Sequence, residues 1–330
     1  MSRPVGDPVF LTGFPKSGTT LLLSLLDGHP DLNVFPKETL FFQYALADLE
    51  ADRERGVELF VERIFEGVLF GLEEVMKDEV GADRYKNALQ KRWAETDYAL
   101  SRFLEIAVET YGELIGRSGR RYWVEKTPQT EFDVPTLRGW YPTMRAIHCI
   151  RDPRANYAAI RTWNEREGRS MSFPRFASRW KPSWVAAKRN AELVPQITLR
   201  YEDLVEETER SVQQVCDFLG IGFDGVLLEP TLGGEPFKGN SMYKSSFSGV
   251  SRASLDRWRS VLSPADVREI EWLLSRELDE VGYERTSGRP PLSGRSLRSY
   301  LALKIFQIYD RLPNSWKAGF RRVRGDARSD

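Results

Sequence analysis

The sequence predicts an α/β fold: a mostly parallel sheet covered by helices, with a helical insertion and a C-terminal helical tail. Three observations predict it. Short apolar runs alternate with helical patterns along much of the chain, the mark of strands joined by crossover helices. The first such run, residues 9–13, passes through the polar turn Gly13-Phe14-Pro15-Lys16-Ser17-Gly18 straight into the apolar helical stretch Thr19 to Leu26. Residues 39–111 are helical and charged with no strand-like run, which reads as a layer inserted over the sheet.

The remaining elements follow in order. Strands are expected at residues 122–125, 145–150 and 197–201, each too short for a helix and bounded by polar or turn residues, with a short extended segment at 33–35. Asp152-Pro153 and Ser263-Pro264 each combine an N-cap residue with proline at the first helical position. Val212, Val215, Cys216 and Leu219 keep helical spacing, as do Val267, Ile270, Leu273, Leu274 and Leu278, so Cys216 belongs to a core rather than to nucleophilic chemistry. No linker divides residues 1–288, which read as one domain. From Arg289 the composition shifts: ten lysines and arginines stand against three aspartates, a local charge of +7. Leu297, Leu301, Ile305 and Ile308 lie at helical spacing within this tail. A helix packed on its own domain and a membrane-surface element both fit the pattern.

Composition removes several function classes. Forty-eight basic and 48 acidic residues give zero formal net charge, without the basic footprint of a nucleic-acid binder. Two cysteines and two histidines are too few for a disulfide framework or a zinc cluster of the usual spacing. The first residues carry no basic-then-apolar leader and no stretch reaches a membrane span, so a cytoplasmic, metal-free protein is expected. Oligomeric state is not readable.

The turn at residues 13–20 carries the chemistry. A polar, glycine-containing turn between strand and helix aims backbone N–H groups and the positive helix end at a phosphate. The Walker A pattern G-x-x-x-x-G-K-[ST] places lysine directly after the second glycine, whereas this chain has Thr19 there and carries Lys16 inside the loop. The β/γ-phosphate lysine of an ATPase is thus displaced, which argues against ordinary ATP hydrolysis.

Phe14-Pro15-Lys16-Ser17-Gly18-Thr19-Thr20 resembles the 5′-phosphosulfate loop of the sulfotransferase family, whose donor is 3′-phosphoadenosine 5′-phosphosulfate (PAPS) and whose fold is a P-loop NTPase-like parallel sheet. Ile147-His148-Cys149-Ile150-Arg151-Asp152-Pro153-Arg154 is similar to the family's 3′-phosphate segment, which makes Arg151 the expected clamp. The family's serine eight residues later is Ala159 here. Tyr201, in Arg200-Tyr201-Glu202-Asp203, matches the tyrosine that lies against adenine, and Ser245, Ser246 and Arg252 match a C-terminal donor-binding loop and helix. The likeness runs from about Val9 to Tyr283.

Sulfonate transfer to an alcohol needs a base and cations. The cytosolic small-molecule branch uses a histidine just after a Lys-Thr pair, but Glu125-Lys126-Thr127-Pro128 has none, and His29 and His148 fall in a turn and a core strand. The tyrosylprotein and heparan-type branches use a glutamate after the phosphate-loop helix, the position of Glu38, with Phe35, Phe41 and Phe42 as apolar neighbours. The resemblance therefore implies Glu38 as base, Lys16 and Lys126 as charge stabilisers, Ser17, Gly18, Thr19 and Thr20 as donor contacts, adenosine 3′,5′-bisphosphate as product, and no metal. The acceptor is a small molecule or glycan, with Trp93, Tyr98 and Trp163 as stacking candidates. A P-loop small-molecule kinase and a non-catalytic nucleotide-binding or membrane-surface adaptor are the competing readings.

Overall fold

The computed structural model describes residues 6–66, 81–237, 250–287 and 294–311. Its contacts divide the chain into two compact units, Met1–Arg151 with Ser183–Leu255, and Asp152–Pro182 with Asp256–Asp330.

The first unit is built on strands β1 (Asp7–Gly13), β2 (Leu32–Val34), β3 (Tyr122–Lys126), β4 (Arg145–Ile150) and β5 (Gln196–Arg200), in the order β2-β3-β1-β4-β5. Every neighbouring pair is parallel. The expected strands appear within two residues of their predicted ends, and the extended segment at 33–35 becomes the edge strand β2.

Period-two alternation sorts the strand side chains onto two covered faces. Val9, Leu11, Tyr122, Val124, Ile147 and Cys149 join one core, packed with Leu22, Leu23, Leu25 and Leu26 of helix α1 (Thr19–Leu26) and with Val212, Val215, Cys216 and Leu219 of the helix Thr208–Leu219. Cys216 is fully buried there. Phe10, Trp123 and Ala146 point the other way, into a core filled by the insertion. That insertion comprises helices Leu46–Ala51, Arg53–Glu66, Ala82–Ala94 and Phe103–Leu114 among the described residues. Phe60 and Trp93 each meet the Phe103 ring edge-on at 5.0 Å, and the Trp93 indole N–H donates to the Ala99 carbonyl at 3.1 Å. Trp93 is therefore a core residue and no acceptor platform; Tyr98, half-exposed, lies 4.8 Å from the Arg53 guanidinium.

In the second unit, Asp152 caps its helix by accepting the Arg154 N–H at 2.8 Å, with Pro153 at the first helical position. The buried Arg154 guanidinium pairs with Asp152 and Glu271, so this arginine is already committed. Ser263 and Asp266 form a reciprocal capping box. The tail is helical over Gly294–Arg311.

Candidate active site

Parallel strands all end on the same edge of a sheet, and the crevice lies where the strand order reverses. Here β1 sits between β3 and β4, so the β1–α1 turn occupies that switch point. The predicted residues gather at this edge. Glu38 follows β2, Lys126 ends β3, the phosphate loop follows β1, Arg151 follows β4 and Tyr201 follows β5.

The phosphate loop owes its shape to left-handed backbone. Gly13, Lys16 and Gly18 have φ of 149°, 67° and 105°. A lysine tolerates such a conformation at a cost of order 1 kcal/mol or more, which the surrounding contacts must hold down. Those contacts are present: the Ser17 N–H donates to the Phe14 carbonyl at 3.1 Å, and Arg151 donates to the Lys16 carbonyl at 3.2 Å. Helix α1 follows Gly18 as its N-cap, with no side-chain cap among the described residues and no acidic residue in its first turn, leaving its leading N–H groups for an anion. Ser17 is 1% exposed and its hydroxyl has no hydrogen-bond partner among the described residues. A buried hydroxyl without a partner beside an uncapped helix start fits a phosphate or sulfonate oxygen. Burial lowers the Lys16 pKa to about 8, with Lys126 and Arg151 pushing the same way and Glu38 opposing them.

Glu38 and Lys126 meet as an ion pair at 2.5 Å, and the Lys126 ammonium also donates to the Thr20 hydroxyl at 3.2 Å. One ammonium thus joins the proposed base to the phosphate loop. The aromatic neighbours expected around Glu38 turn elsewhere: Phe35 packs edge-on to Tyr111 at 5.5 Å, Phe41 stacks on Phe103 at 5.8 Å and Phe42 on Trp140 at 5.6 Å. Buried Glu125 anchors the surrounding backbone by accepting the Thr39 hydroxyl at 2.8 Å and the Thr127 hydroxyl at 2.6 Å, while Thr127 accepts the Leu40 N–H at 3.2 Å. Glu38 and Lys126 each lie one residue from a member of this network.

The Arg151 guanidinium lies 4.3 Å over the Tyr201 ring and donates to the Ser254 carbonyl at 3.0 Å. Its Nε is buried without a partner among the described residues, so donor capacity remains for an anion. The Tyr201 hydroxyl meets the Ser254 hydroxyl at 2.5 Å, and a Cβ on Gly18 would stand 2.5 Å from the Tyr201 ring. Tyr201 therefore packs on the start of α1. Arg252 donates to the Glu206 carbonyl at 3.0 Å. Ser245 and Ser246 lie outside the described residues.

Neither histidine offers a base. His148 is buried beside the Thr12 hydroxyl at 3.0 Å and burial lowers its pKa to about 3, while His29 pairs with the Gly222 carbonyl at 2.9 Å.

One residue of this edge escaped sequence reasoning. Buried Glu131 accepts the Gly13 N–H at 3.1 Å with one oxygen and the Ser183 hydroxyl with the other, and its own carbonyl accepts the Asn190 amide at 2.7 Å. The contact to Gly13 spans 118 residues, a separation no local motif signals. Burial raises the Glu131 pKa from 4.5 to about 7. A carboxyl whose folded pKa lies above its unfolded value binds more protons when folded, so its contribution to stability is full below about 4.5 and lost as pH rises through about 7. Glutamine reproduces the protonated form, donating to Ser183 and accepting from Gly13. Urea unfolding at several pH values should show that Glu131→Gln gains on the wild type as pH rises from about 4.5 to above 7; parallel curves would refute the assignment.

An uncapped helix start at the strand-order reversal, with its lysine folded into the loop instead of standing where ATPases keep theirs, fits group transfer more closely than ATP hydrolysis. The chain belongs to the sulfotransferase family, which it matches over residues 8–225, and is accordingly an enzyme of sulfonate transfer. It is 26% identical over 304 residues to the nodulation protein NoeE of Sinorhizobium fredii, covering 84% of this chain and 66% of that protein, just under two-thirds of its length. A putative protein-tyrosine sulfotransferase of Caenorhabditis briggsae is 23% identical over 298 residues, covering 86% of this chain and 92% of that one. The sulfotransferase domain of the Synechococcus PCC 7002 olefin synthase shares the fold with a TM-score of 0.58 at 22% identity, covering 86% of this chain and 98% of that domain. The sulfotransferase domain from the curacin biosynthetic pathway gives 0.57 at 21% identity, with coverages of 86% and 99%.

Proposed function

We propose that the protein transfers the sulfonate of PAPS to a hydroxyl of a carbohydrate, glycolipid or other small-molecule alcohol or phenol. The observation that carries this reading is the Glu38–Lys126 pair, joined through Lys126 to Thr20 of the phosphate loop. Glu38 takes the acceptor proton as the acceptor oxygen bonds to sulfur. The bond from sulfur to the 5′-phosphate oxygen breaks and its electron pair stays on that oxygen, where Lys16 offsets the charge. Lys126 stabilises the sulfonate in flight. Ser17, Gly18, Thr19 and Thr20 hold the 5′ end, and Arg151, Tyr201 and Arg252 hold the nucleotide. The position of the base supports an acceptor of the carbohydrate or tyrosyl kind, and a relative named as a protein-tyrosine sulfotransferase supports the tyrosyl one. A cytoplasmic location belongs to the same proposal.

Calorimetric titration with adenosine 3′,5′-bisphosphate, beside ADP and Mg-ATP, tests the donor. Tight metal-independent binding of the bisphosphate is expected, weakened about 10- to 100-fold by Arg151→Ala, the scale of a lost charged hydrogen bond. Preference for Mg-ATP would overturn the proposal.

A further inference from the structure

The helix Gly294–Arg311 has two sides with opposite fates. On one, Leu303 is 3% exposed, the Tyr300 ring lies 6.2 Å from Trp272, and the Arg175 guanidinium lies 5.3 Å from the Phe306 ring. That side is docked on its own unit. On the other, Leu297, Leu301, Ile305 and Ile308 are 60%, 51%, 65% and 63% exposed. Steps of four, four and three residues stack them in one stripe. Seating the helix does not require them, and scattered exposure of single apolar residues does not produce such a row.

Charge identifies the occupant. Arg298 and Lys304, both exposed, follow Leu297 and precede Ile305, which places one on each flank of the stripe at 100° per residue. The helix carries Arg295, Arg298, Lys304 and Arg311 against Asp310 alone. Residues 289–330 hold +7 in a chain whose formal net charge is zero, so the remainder is acidic and the molecule is polarised. A second copy meeting this face about a two-fold axis would set its basic flanks against their own kind. An anionic bilayer instead offers acyl chains to the stripe and acidic headgroups to the flanks, with lysine and arginine stems lying along the apolar surface. Among the described residues no helix is long and apolar enough to cross a membrane, so such contact lies in the interface plane.

We infer that the exposed face of Gly294–Arg311 binds the surface of an anionic lipid bilayer and holds the enzyme there, where lipid-borne alcohols are presented as acceptors. The test is co-sedimentation of the full chain with vesicles of phosphatidylcholine alone and of equal parts phosphatidylcholine and phosphatidylglycerol. The wild type should bind the anionic vesicles at least ten-fold more tightly than the neutral ones. Leu301→Asp with Ile305→Asp should lower that binding at least ten-fold with unchanged bisphosphate binding; both positions are exposed, so folding is spared. Failure of the wild type to bind, equal binding to neutral vesicles, or binding that survives the double substitution would each overturn the inference. So would a wild-type dimer in sedimentation that the double variant returns to monomer, because the stripe would then belong to a second copy.

Discussion

Glu38→Gln is expected to lower kcat by about 10²- to 10⁴-fold, the usual contribution of a positioned general base. Glutamine keeps the length of the side chain and an oxygen for the Lys126 ammonium, now 2.5 Å away, but cannot take a proton at neutral pH. Lys126 sits almost wholly inside the protein, so the carbonyl oxygen matters: it spares the variant an uncompensated buried ammonium. Donor affinity should not fall, because the loop, Arg151 and Tyr201 are untouched and removing the carboxylate charge favours an anionic ligand. Single-turnover rates with a sulfate-accepting alcohol, beside bisphosphate titration, separate the two effects. Wild-type turnover in Glu38→Gln would remove it from the role of base, and a parallel loss of bisphosphate affinity would make it a donor-binding residue instead.

Gly13→Ala should be the most damaging single methyl in the phosphate loop. A Cβ there would stand 2.5 Å from the Cys149 carbonyl oxygen, and Gly13 has φ of 149°. That carbonyl belongs to the neighbouring strand, so relief requires central strands to part. Strain and overpacking together suggest a loss of about 2–5 kcal/mol of stability. Gly18→Ala makes a useful contrast. Its Cβ would also meet an atom at 2.5 Å, but that atom is in the Tyr201 side chain rather than in the backbone of a central strand. Urea midpoints should therefore fall further for Gly13→Ala, whereas Gly18→Ala should spend its effect on nucleotide affinity. Equal midpoints for Gly13→Ala and the wild type would show that the loop has room that its contacts deny.

Features written in consecutive residues were readable before any coordinates. The strand–turn–helix at residues 7–26, the Asp152-Pro153 and Ser263-Pro264 helix starts, and the apolar spacing through Cys216 all depend on neighbours within a few positions. So did Glu38 and Lys126 as individual candidates, although only the fold reveals that they touch across 88 residues. Pairings of long range stayed hidden. Glu131 looks like one more carboxylate on a polar stretch until Gly13 and Ser183 close around it. Glu125 is likewise silent, since its partners Thr39 and Thr127 flank different elements. Trp93 offered the opposite difficulty: a large aromatic advertises both stacking and packing, and only its near-complete burial decides for packing.

Under the proposed mechanism the Glu38–Lys126 contact also sets the timing of charge. Before reaction the carboxylate cancels one ammonium, so the crevice greets an anionic donor with a muted positive field. Once Glu38 has captured a proton it can no longer cancel anything, and Lys126 gains its full strength while negative charge is appearing on the departing phosphate. Lys16, whose ammonium form Glu38 also supports, feels the same change. A single proton relocated by a few ångströms therefore acts as a switch: it converts a balanced pair into a net cation at the moment one is required, and the return of that proton to solvent resets the site for product escape.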